Sequence, residues 1–328
     1  TDPMILVIGE ALIDLIENRY QPGSFNAVVG GANANVALAL ARRGTKHQFL
    51  GRISRDSFGQ TIRERLTSNG VHLEYSIDAD ELTTLAVVKM NSAGIPSYAF
   101  YVNDTADWGW TPEELPTNAD FENLHATAIQ FGCLTMAMQP SSAVIEAWAR
   151  EHFEQKSVTI SHDINMRPAL GFDRDTERVR VERLNSISHI IKASDEDIYW
   201  LYDLADGSSV DGIVADWIGE SDRVVLVTRG ADGTSIYRRD GVRIDVPTRA
   251  INVVDTVGAG DTFCANLLGQ LSDADALGTD PFDRLANLSN DELRGMVRVA
   301  AVAASITCER AGCEPPTRAD LDAVLASL

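Results

Sequence analysis

The sequence predicts an α/β fold with a small separate β-sheet, and three observations support this prediction. Short continuous apolar runs, such as residues 4–9 and Val224–Thr228, are typical of parallel strands that are buried on both faces. After Pro112 such runs alternate with segments of helical periodicity, as in βα units. Before that point, residues 83–102 alternate apolar and polar side chains around Ala93-Gly94, which indicates a β-hairpin.

The composition is that of an acidic globular protein. The chain has 328 residues, of which 45% are hydrophobic, and its formal net charge is −20. This length allows a substantial core in two domains or in one large α/β unit. The negative charge disfavours nucleic acid or an anionic membrane surface as a partner. No apolar run approaches the roughly 18 residues that span a bilayer.

We expect a cytoplasmic protein with reduced thiols. No charged-then-apolar leader opens the chain, and residues 1–3, ahead of Met4, are left out of the fold prediction. The cysteines are widely spaced and form no CxxC pair. They are Cys133, Cys264, Cys308 and Cys313.

The first elements are a buried strand and a polar turn. Residues 4–9 form the strand, and alternation then resumes around Asp14, which lies among aliphatic residues. A carboxylate there needs partners or solvent, and the residues alone favour a solvent-facing position on an edge strand. Gly30-Gly31 then precedes a helical pattern, with Asn35 in its first turn. This is a glycine turn with an Asn cap, in which glycine permits close approach to a ligand.

The next segments supply a strand, a helix and the small sheet. Residues 48–53 read as a strand, and an amphipathic helix through Ile62 follows and ends at Asn69-Gly70. The hairpin at residues 83–102 would join strands at 12–17 and 25–29 in a sheet apart from the main core.

The second half of the chain is a series of strands and helices. We expect strands at 126–132, 158–163, 187–193 and 224–228, and helices at 141–153, from 194 through 201, at 293–307 and at 320–328. The residues DINMRP, 163–168, follow a strand at its carboxyl end, where ligands gather in open parallel sheets. Arg167 could contact a ligand there or form a structural ion pair.

A β-branched run, Ile251, Val253 and Val254, leads into the segment VVDTVGAGDTFCA, residues 253–265. This pattern predicts a strand, a tight glycine turn and a helix. Backbone N–H groups converge at such a helix N-terminus and favour an anion. Asp261, in the first turn beside this anion site, suits a base that acts on a hydroxyl attacking a phosphoryl group. The alternative is an ordinary left-handed turn in which Asp261 is only a capping acid.

The string DTVGAGD, together with GGANAN at residues 30–35, resembles the two signatures of the ribokinase-like (PfkB) family of sugar and nucleoside kinases. The resemblance spans nearly the whole chain. It implies a ribokinase-like three-layer α/β/α core with a small β-sheet lid, as a single kinase domain over residues 1–328. The lid would form from about residues 12–29 and 83–103, and exposed apolar residues on it could pair two subunits in a homodimer.

The resemblance also assigns site residues. It makes Asp261 the catalytic base and gives the transferred phosphoryl group to backbone N–H groups of the glycine turn, which are those of Gly258, Ala259 and Gly260. The sugar-binding positions it implies are Asp14, Gly31, Asn35 and Arg167. The nucleotide-binding positions are Thr228, Gly230, Gly233 and Gly312, although a simple hairpin connection to Thr234–Tyr237 also explains the turn after Thr228.

Metal ions follow from the same resemblance. Asp255 and Val257 would belong to a monovalent cation site, K⁺ in this family, with the loop near Gly312 as its other half. Mg²⁺ would bridge phosphate oxygens. The family motif Asn-x-x-Glu reads Ser194-x-x-Asp197 here, so Asp197 would act on Mg²⁺ only indirectly, through bound water. The helix dipole alone also explains acids at this place.

The implied activity is ATP-dependent phosphorylation of a sugar hydroxyl, most simply fructose at O6. Residues 103–108 and 163–168 resemble fructokinase segments, although a plain loop also explains the first of them. Alternatives within the class are 2-keto-3-deoxygluconate kinase, ribokinase and nucleoside kinase. The alternative from another class is a non-catalytic sensor of sugar and nucleotide, against which Asp261 argues because binding needs no base.

Overall fold

The structure, a computed structural model, describes residues 2–328 and contains fourteen strands and eleven α-helices in this range. The strands are β1 (Met4–Ile8), β2 (Leu12–Glu17), β3 (Phe25–Gly30), β4 (His47–Leu50), β5 (Arg52–Ser54), β6 (Ile77–Ala79), β7 (Leu85–Met90), β8 (Pro96–Tyr101), β9 (Ala126–Gly132), β10 (Thr159–Asp163), β11 (Ile190–Ser194), β12 (Val224–Thr228), β13 (Thr234–Arg238) and β14 (Val242–Val246). The helices are α1 (Ala32–Arg43), α2 (Ser57–Ser68), α3 (Asn118–Leu124), α4 (Ser141–Gln155), α5 (Arg174–Asn185), α6 (Asp195–Leu201), α7 (Asp211–Ile218), α8 (Ala259–Asp273), α9 (Pro281–Ala286), α10 (Asn290–Cys308) and α11 (Arg318–Ala326).

The central element is an eight-stranded sheet in the order β14-β13-β12-β11-β10-β9-β1-β4. The strands from β12 to β4 pair in parallel, and β13 and β14 add an antiparallel edge. Because parallel strands run in one direction, their carboxyl ends meet at one edge of the sheet.

Helices cover both faces of this sheet, which confirms the predicted three-layer α/β/α fold. Alternate side chains of a strand point to opposite faces. On β1, Ile5 and Val7 pack in a cluster with residues of α1, α8 and α10. Leu6 and Ile8 pack on the other face, with residues of α3 and α4. Every one of these strand side chains is buried.

The separate small sheet is also present, with four strands in the order β3-β2-β7-β8. Its strands match the predicted segments closely. The interpretation of Asp14 as an edge-strand residue is wrong, because β2 lies between β3 and β7 and Asp14 is only partly exposed. The role of this sheet as a lid on a single kinase domain stays a prediction.

Two predicted strands differ from the structure. Residues 48–53 form β4 and β5 rather than one strand, because the strand is interrupted at Gly51 and β5 pairs with β6 in a separate two-stranded sheet. Residues 251–254 form no strand, although they are rich in β-branched side chains. The N–H groups of Val254 and Asp255 both donate to the carbonyl of Cys308, so this segment is bonded to the end of α10 instead of to a sheet.

The remaining predicted elements agree within a few residues at their ends, whereas the strands β6 and β14 and the helices α3, α5, α7 and α9 were not predicted. Across residues 2–328, every helix is too short or too polar to span a bilayer.

Candidate active site

A cluster of polar side chains lies where the carboxyl ends of β10 and β11 meet the N-terminus of α8. β10 ends at Asp163, β11 contributes Lys192 from its middle, and α8 contributes Asp261 in its first turn. All three side chains are buried. Buried charged groups at the carboxyl edge of a parallel sheet indicate a functional site.

The glycine turn opens α8 as the sequence predicts. Gly258 precedes the helix in a left-handed conformation, with φ of 78°, and any side chain there would collide with Cys313. Ala259 donates its N–H to the Thr256 carbonyl at 3.2 Å. In the described part of the chain, the N–H groups of Gly258, Gly260 and Asp261 have no acceptor. Unpaired N–H groups at a helix N-terminus form an anion site.

Asp261 is held beside these donors. Asn35 donates from Nδ2 to Asp261 Oδ2 at 3.0 Å, so the two signature segments meet in space. Burial and, next, the nearby Asp163 carboxylate raise the pKa of Asp261 to about 7, although Asn35, Lys192 and Arg167 act to lower it. A carboxylate with a pKa near neutrality can accept a proton during a reaction at neutral pH.

Lys192 is a site residue that sequence reasoning missed. Its Nζ lies 3.1 Å from Asp163 Oδ2, and a side-chain carbon built on Gly260 would lie 3.2 Å from the same nitrogen. The ammonium group therefore sits against the anion site. The second oxygen of Asp163, Oδ1, is buried and has no partner. Burial disfavours the charged ammonium group, but the charges nearby, chiefly that of Asp163 and also that of Asp261, together raise the pKa of Lys192.

Arg167 and Asp14 line the side of the site toward the small sheet. Arg167 is exposed and forms no ion pair within residues 2–328, so the structural ion pair considered from the sequence is absent from the described structure. Its pKa is raised, with Cys133 the largest cause and Asp261 and Glu10 further causes. Burial raises the pKa of Asp14 to about 6, and Arg167 acts in the opposite direction.

Gly31 packs tightly against the connection between β1 and β2. It has φ of 105°, and a side-chain carbon there would lie 3.2 Å from the Cα of Ala11 and would also collide with the carbonyl of Glu10. Only glycine tolerates both the conformation and the contact. Asn35 bonds to Asp261, and Arg167 lies near enough to Asp14 and Asp261 to lower the pKa of both, so these side chains lie close together. Sugar binding by Gly31, Asn35, Asp14 and Arg167 stays a prediction.

The predicted nucleotide segments lie along the same edge of the sheet. Thr228 ends β12, and Gly230 and Gly233 form the turn that leads into the antiparallel strand β13, so the hairpin connection considered from the sequence is present. Packing alone explains glycine at position 233, because a side chain there would collide with the Val246 carbonyl. A nucleotide role for these residues stays a prediction.

Asp255 joins the two loops predicted to hold a monovalent cation. Its Oδ1 accepts the N–H of Val257 at 3.1 Å, and its Oδ2 accepts the N–H of Gly312 at 2.9 Å. The loop that follows α10 is thereby fixed next to the glycine turn. A cation role for Asp255 and Val257 stays a prediction.

Asp197 has a structural use that the sequence allowed as an alternative. Its Oδ2 accepts the N–H of Ser194 in a capping box, and its Oδ1 accepts the N–H of Met166 at 2.9 Å. It thus caps α6 and fixes the loop that carries Arg167. An indirect role toward Mg²⁺ stays a prediction, with Asp163 as the nearby acid whose oxygen is unpaired.

The residues missed from the sequence left a weak signal. Lys192 interrupts the apolar run of β11, and a lysine within a buried strand requires a buried partner. That partner, Asp163, lies 29 positions earlier, and only the pairing of β10 with β11 brings them together.

Comparison with known proteins identifies similar sequences and structures. The model of the family described as pfkB family carbohydrate kinase matches residues 2–320. A fructokinase of Rhizobium leguminosarum bv. trifolii is 35% identical over 270 residues, which cover 82% of this chain and 79% of that protein. The crystal structure of a Xylella fastidiosa fructokinase with bound ATP matches with a TM-score of 0.87 and 25% identity, over 99% of this chain and 98% of that one. A Vibrio cholerae O395 fructokinase, solved with fructose, ADP and calcium ion, matches with a TM-score of 0.79 and 24% identity over 98% of both chains and shows the fold.

Proposed function

The chain belongs to the pfkB family of carbohydrate kinases, and we propose that it transfers the γ-phosphoryl group of ATP to O6 of fructose, giving fructose 6-phosphate. The observation that carries this proposal is the position of Asp261, a buried carboxylate beside unpaired N–H groups at a helix N-terminus. A base and an anion site side by side are what phosphoryl transfer to a hydroxyl requires.

Asp261 acts as the base in the proposed reaction. The sugar hydroxyl lies between this carboxylate and the γ-phosphoryl group, and its proton passes to Asp261 as the O–P bond forms and the bond to the leaving ADP breaks. The hydrogen bond from Asn35 keeps the carboxylate directed into the cleft. Because the pKa of Asp261 is about 7, about half of the free enzyme is ready to accept a proton at neutral pH.

Three sets of donors would stabilise the transferred group. The N–H groups of Gly258 and Gly260 are the fixed backbone donors. Lys192 adds a positive charge next to Gly260, and Asp163 holds that charge in place. Arg167 is free of ion pairs in the described structure and so can bind a phosphoryl oxygen or the sugar.

The residues present fit Mg²⁺ held chiefly by phosphate oxygens and water. Within residues 2–328 no group of three or more His, Cys, Asp or Glu side chains could hold a metal ion. The unpaired Oδ1 of Asp163 and the nearby Asp197 could instead hold its water ligands. Bound Mg²⁺ would neutralise charge on the nucleotide phosphates. For K⁺, the Asp255 carboxylate supplies oxygen atoms at the proposed site, and because it accepts the N–H groups of Val257 and Gly312 it would brace the glycine turn rather than touch substrate.

A neutral sugar suits the charges of the cleft better than an acid. Asp14 and Asp261 face the same space as Arg167, and the ammonium group of Lys192 is already paired with Asp163. The carboxylate of 2-keto-3-deoxygluconate would compete with phosphate for Arg167 and would meet two acids. Ribose would leave hydroxyl partners of a hexose unpaired, which lowers kcat/KM steeply at a buried site.

Coupled ATP turnover over fructose, 2-keto-3-deoxygluconate and ribose tests this proposal. We expect the highest kcat/KM for fructose. Faster turnover of the keto-deoxy acid would refute fructose as the substrate while leaving a sugar kinase. Binding of sugar and ATP without turnover of any sugar would favour the sensor.

We further propose that two copies pair through the small sheet. By strand register, Asp14 shares its face with Ile16, Val28 and Tyr98, which are exposed apolar residues. A second copy would cover them. Sedimentation of the wild type and of Ile16→Lys checks this, with a dimer expected only for the wild type.

The cytoplasm is the compartment we propose, since the four cysteines are free thiols.

A further inference from the structure

The connection between the main sheet and the small sheet is held by two buried carboxyl side chains. Residues 9–11 link β1 to β2, the strand that carries Asp14. Glu10 and Asp107 hold this link from opposite sides, and each is 1% exposed. Neither residue belongs to the catalytic cleft described above.

Glu10 fastens the link to the core. Its Oε1 accepts the N–H of Ala32 at 3.2 Å, and its Oε2 accepts hydrogen bonds from Asn33 Nδ2 at 3.1 Å and from the backbone N–H and hydroxyl group of Thr135. These bonds tie residue 10 to the start of α1 and to the turn after β9.

Asp107 holds the next residue from the side of the small sheet. It lies in a short 3₁₀ turn, Ala106–Trp108, shortly after β8 leaves that sheet. Its Oδ1 accepts the N–H of Ala11 at 2.9 Å, over 96 positions of sequence. Ala106 is fixed in turn, because its N–H donates to the Leu82 carbonyl at 2.8 Å and its carbonyl accepts from Arg52 at the same distance.

Asp107 is not optimised for stability. Burial raises the pKa of the side chain to about 8, although Thr84 and the N–H of Ala11 act to lower it, and Oδ2 is buried without a hydrogen bond of good geometry. A buried polar atom without a partner costs stability and calls for an explanation. The position of Ala11, which Asp107 holds, supplies this explanation. The Cα of Ala11 packs against Gly31, and Ala11 lies three positions before Asp14.

We propose that Asp107 is a positioning residue for the sugar: by fixing the Ala11 N–H, it sets Gly31 and Asp14 at the spacing that the sugar requires. It touches no substrate and acts through Ala11. This inference rests on the proposed sugar kinase function. Sites that bind by several hydrogen bonds lose affinity when the spacing of their groups relaxes, so the effect falls on sugar binding and not on ATP.

The test compares Asp107→Ala, Asp107→Asn and the matched control Asp56→Ala. Asp56 is another acid at the base of the small sheet, where it accepts the N–H of Gly59 at 2.8 Å and bonds from Thr83, but it does not contact residues 9–11. We expect Asp107→Ala to raise the KM for fructose about tenfold, the equivalent of one lost hydrogen bond, with kcat and the KM for ATP within about threefold. Asp107→Asn keeps an acceptor for Ala11 and restores the KM, whereas Asp56→Ala lowers Tm and leaves the KM unchanged.

Hydrogen exchange of the ligand-free proteins provides a readout that is independent of turnover. Exchange of residues 9–16 should speed up in Asp107→Ala and stay at the wild-type rate in Asp107→Asn and Asp56→Ala. An unchanged fructose KM in Asp107→Ala, or an equal rise in Asp56→Ala, overturns the inference. If the wild type does not turn over fructose, the proposed function fails, and unchanged exchange at residues 9–16 in a folded Asp107→Ala or Asp107→Leu then overturns the positioning role separately.

Discussion

Replacing Asp261 with Asn should abolish most of the activity and at the same time stabilise the fold. Loss of a general base lowers kcat by roughly 10²–10⁴, while sugar and ATP binding stay within a few-fold of the wild type. The gain in stability follows from the cost of holding a charged carboxylate in a buried site, next to the Asp163 carboxylate. A neutral amide of the same shape avoids this cost and can still accept the hydrogen bond from Asn35.

The size and pH dependence of the effect follow from the raised pKa. The pKa of Asp261 rises from 3.8 to about 7 on folding, so the unfolded chain releases this proton at lower pH than the folded protein does. The stability contributed by this group is therefore fully present below pH 3.8 and is lost as the pH rises through 7. At pH 8 the full loss corresponds to at most about 4 kcal/mol. We expect Asp261→Asn to gain roughly 1–3 kcal/mol at pH 8, because the amide is also buried.

Urea denaturation at pH 8 and pH 5 measures this difference, and steady-state kinetics on the same samples measures kcat. The gain should shrink markedly at pH 5, where the folded wild type carries the proton on Asp261. Asp56→Asn is the matched control, and it should lower the stability at pH 8 instead of raising it. Burial acts to raise the pKa of Asp56, but hydrogen bonds from Thr83 and Gly59 outweigh it and the pKa is lowered. A variant with near wild-type kcat would remove Asp261 from catalysis, and a variant less stable than the wild type at pH 8 would refute the reasoning about burial.

Further predictions concern the ions, the charges and the pH profile. Replacing K⁺ by a bulky organic cation at constant ionic strength should lower activity, because Asp255 joins the loops of the proposed site; equal rates would show that no such ion is needed. Lys192→Met should lower kcat by about 10²-fold, as expected for loss of a charge that stabilises the transition state. Lys46→Met, at an exposed lysine, is the control and should keep the wild-type kcat; equal kcat values for the two variants would exclude Lys192 from catalysis. The kcat/KM for fructose should rise with pH through an apparent pKa near 7, set by Asp261, and a flat profile from pH 6 to 8 would contradict this. Burial lowers the pKa of His162 to about 3, so the stability that the neutral ring contributes is lost as the pH falls from 6.5. In denaturation experiments between pH 6 and 4, the free energy of unfolding of His162→Gln should therefore rise relative to that of the wild type by roughly 1.4 kcal/mol per pH unit. A constant difference would show that His162 is not held neutral.

Local patterns predicted much of the fold because each depends on neighbouring residues. Gly258 and Asp261 lie in one strand-turn-helix pattern, and the helix begins where the pattern indicates. Residues 126–132 and 224–228 are strands with the predicted limits, since apolar runs of this length bounded by turn residues have few alternatives. The segment 251–254 shows the limit of this reasoning, because β-branched side chains favour a strand only where a neighbouring strand is available.

The parts of the site that depend on distant pairs could not be predicted. Lys192 meets Asp163 because β10 and β11 are neighbours, and Asp107 meets Ala11 across 96 positions of sequence. Neither pair has a sequence spacing that indicates a contact. The residues alone favoured an edge strand for Asp14 because a strand's own sequence gives no information about its neighbours, whereas the structure places β2 between β3 and β7.

The most direct test of the central claim is phosphorus NMR of a reaction with fructose and MgATP. With the wild type, the ATP signals should be replaced by those of ADP and fructose 6-phosphate in equal amounts, and the same reaction with Asp261→Asn should leave ATP almost unchanged over the same time. Inorganic phosphate as the product, a sugar phosphate other than the 6-phosphate, or equal conversion by both proteins would contradict phosphoryl transfer to fructose O6 with Asp261 as the base.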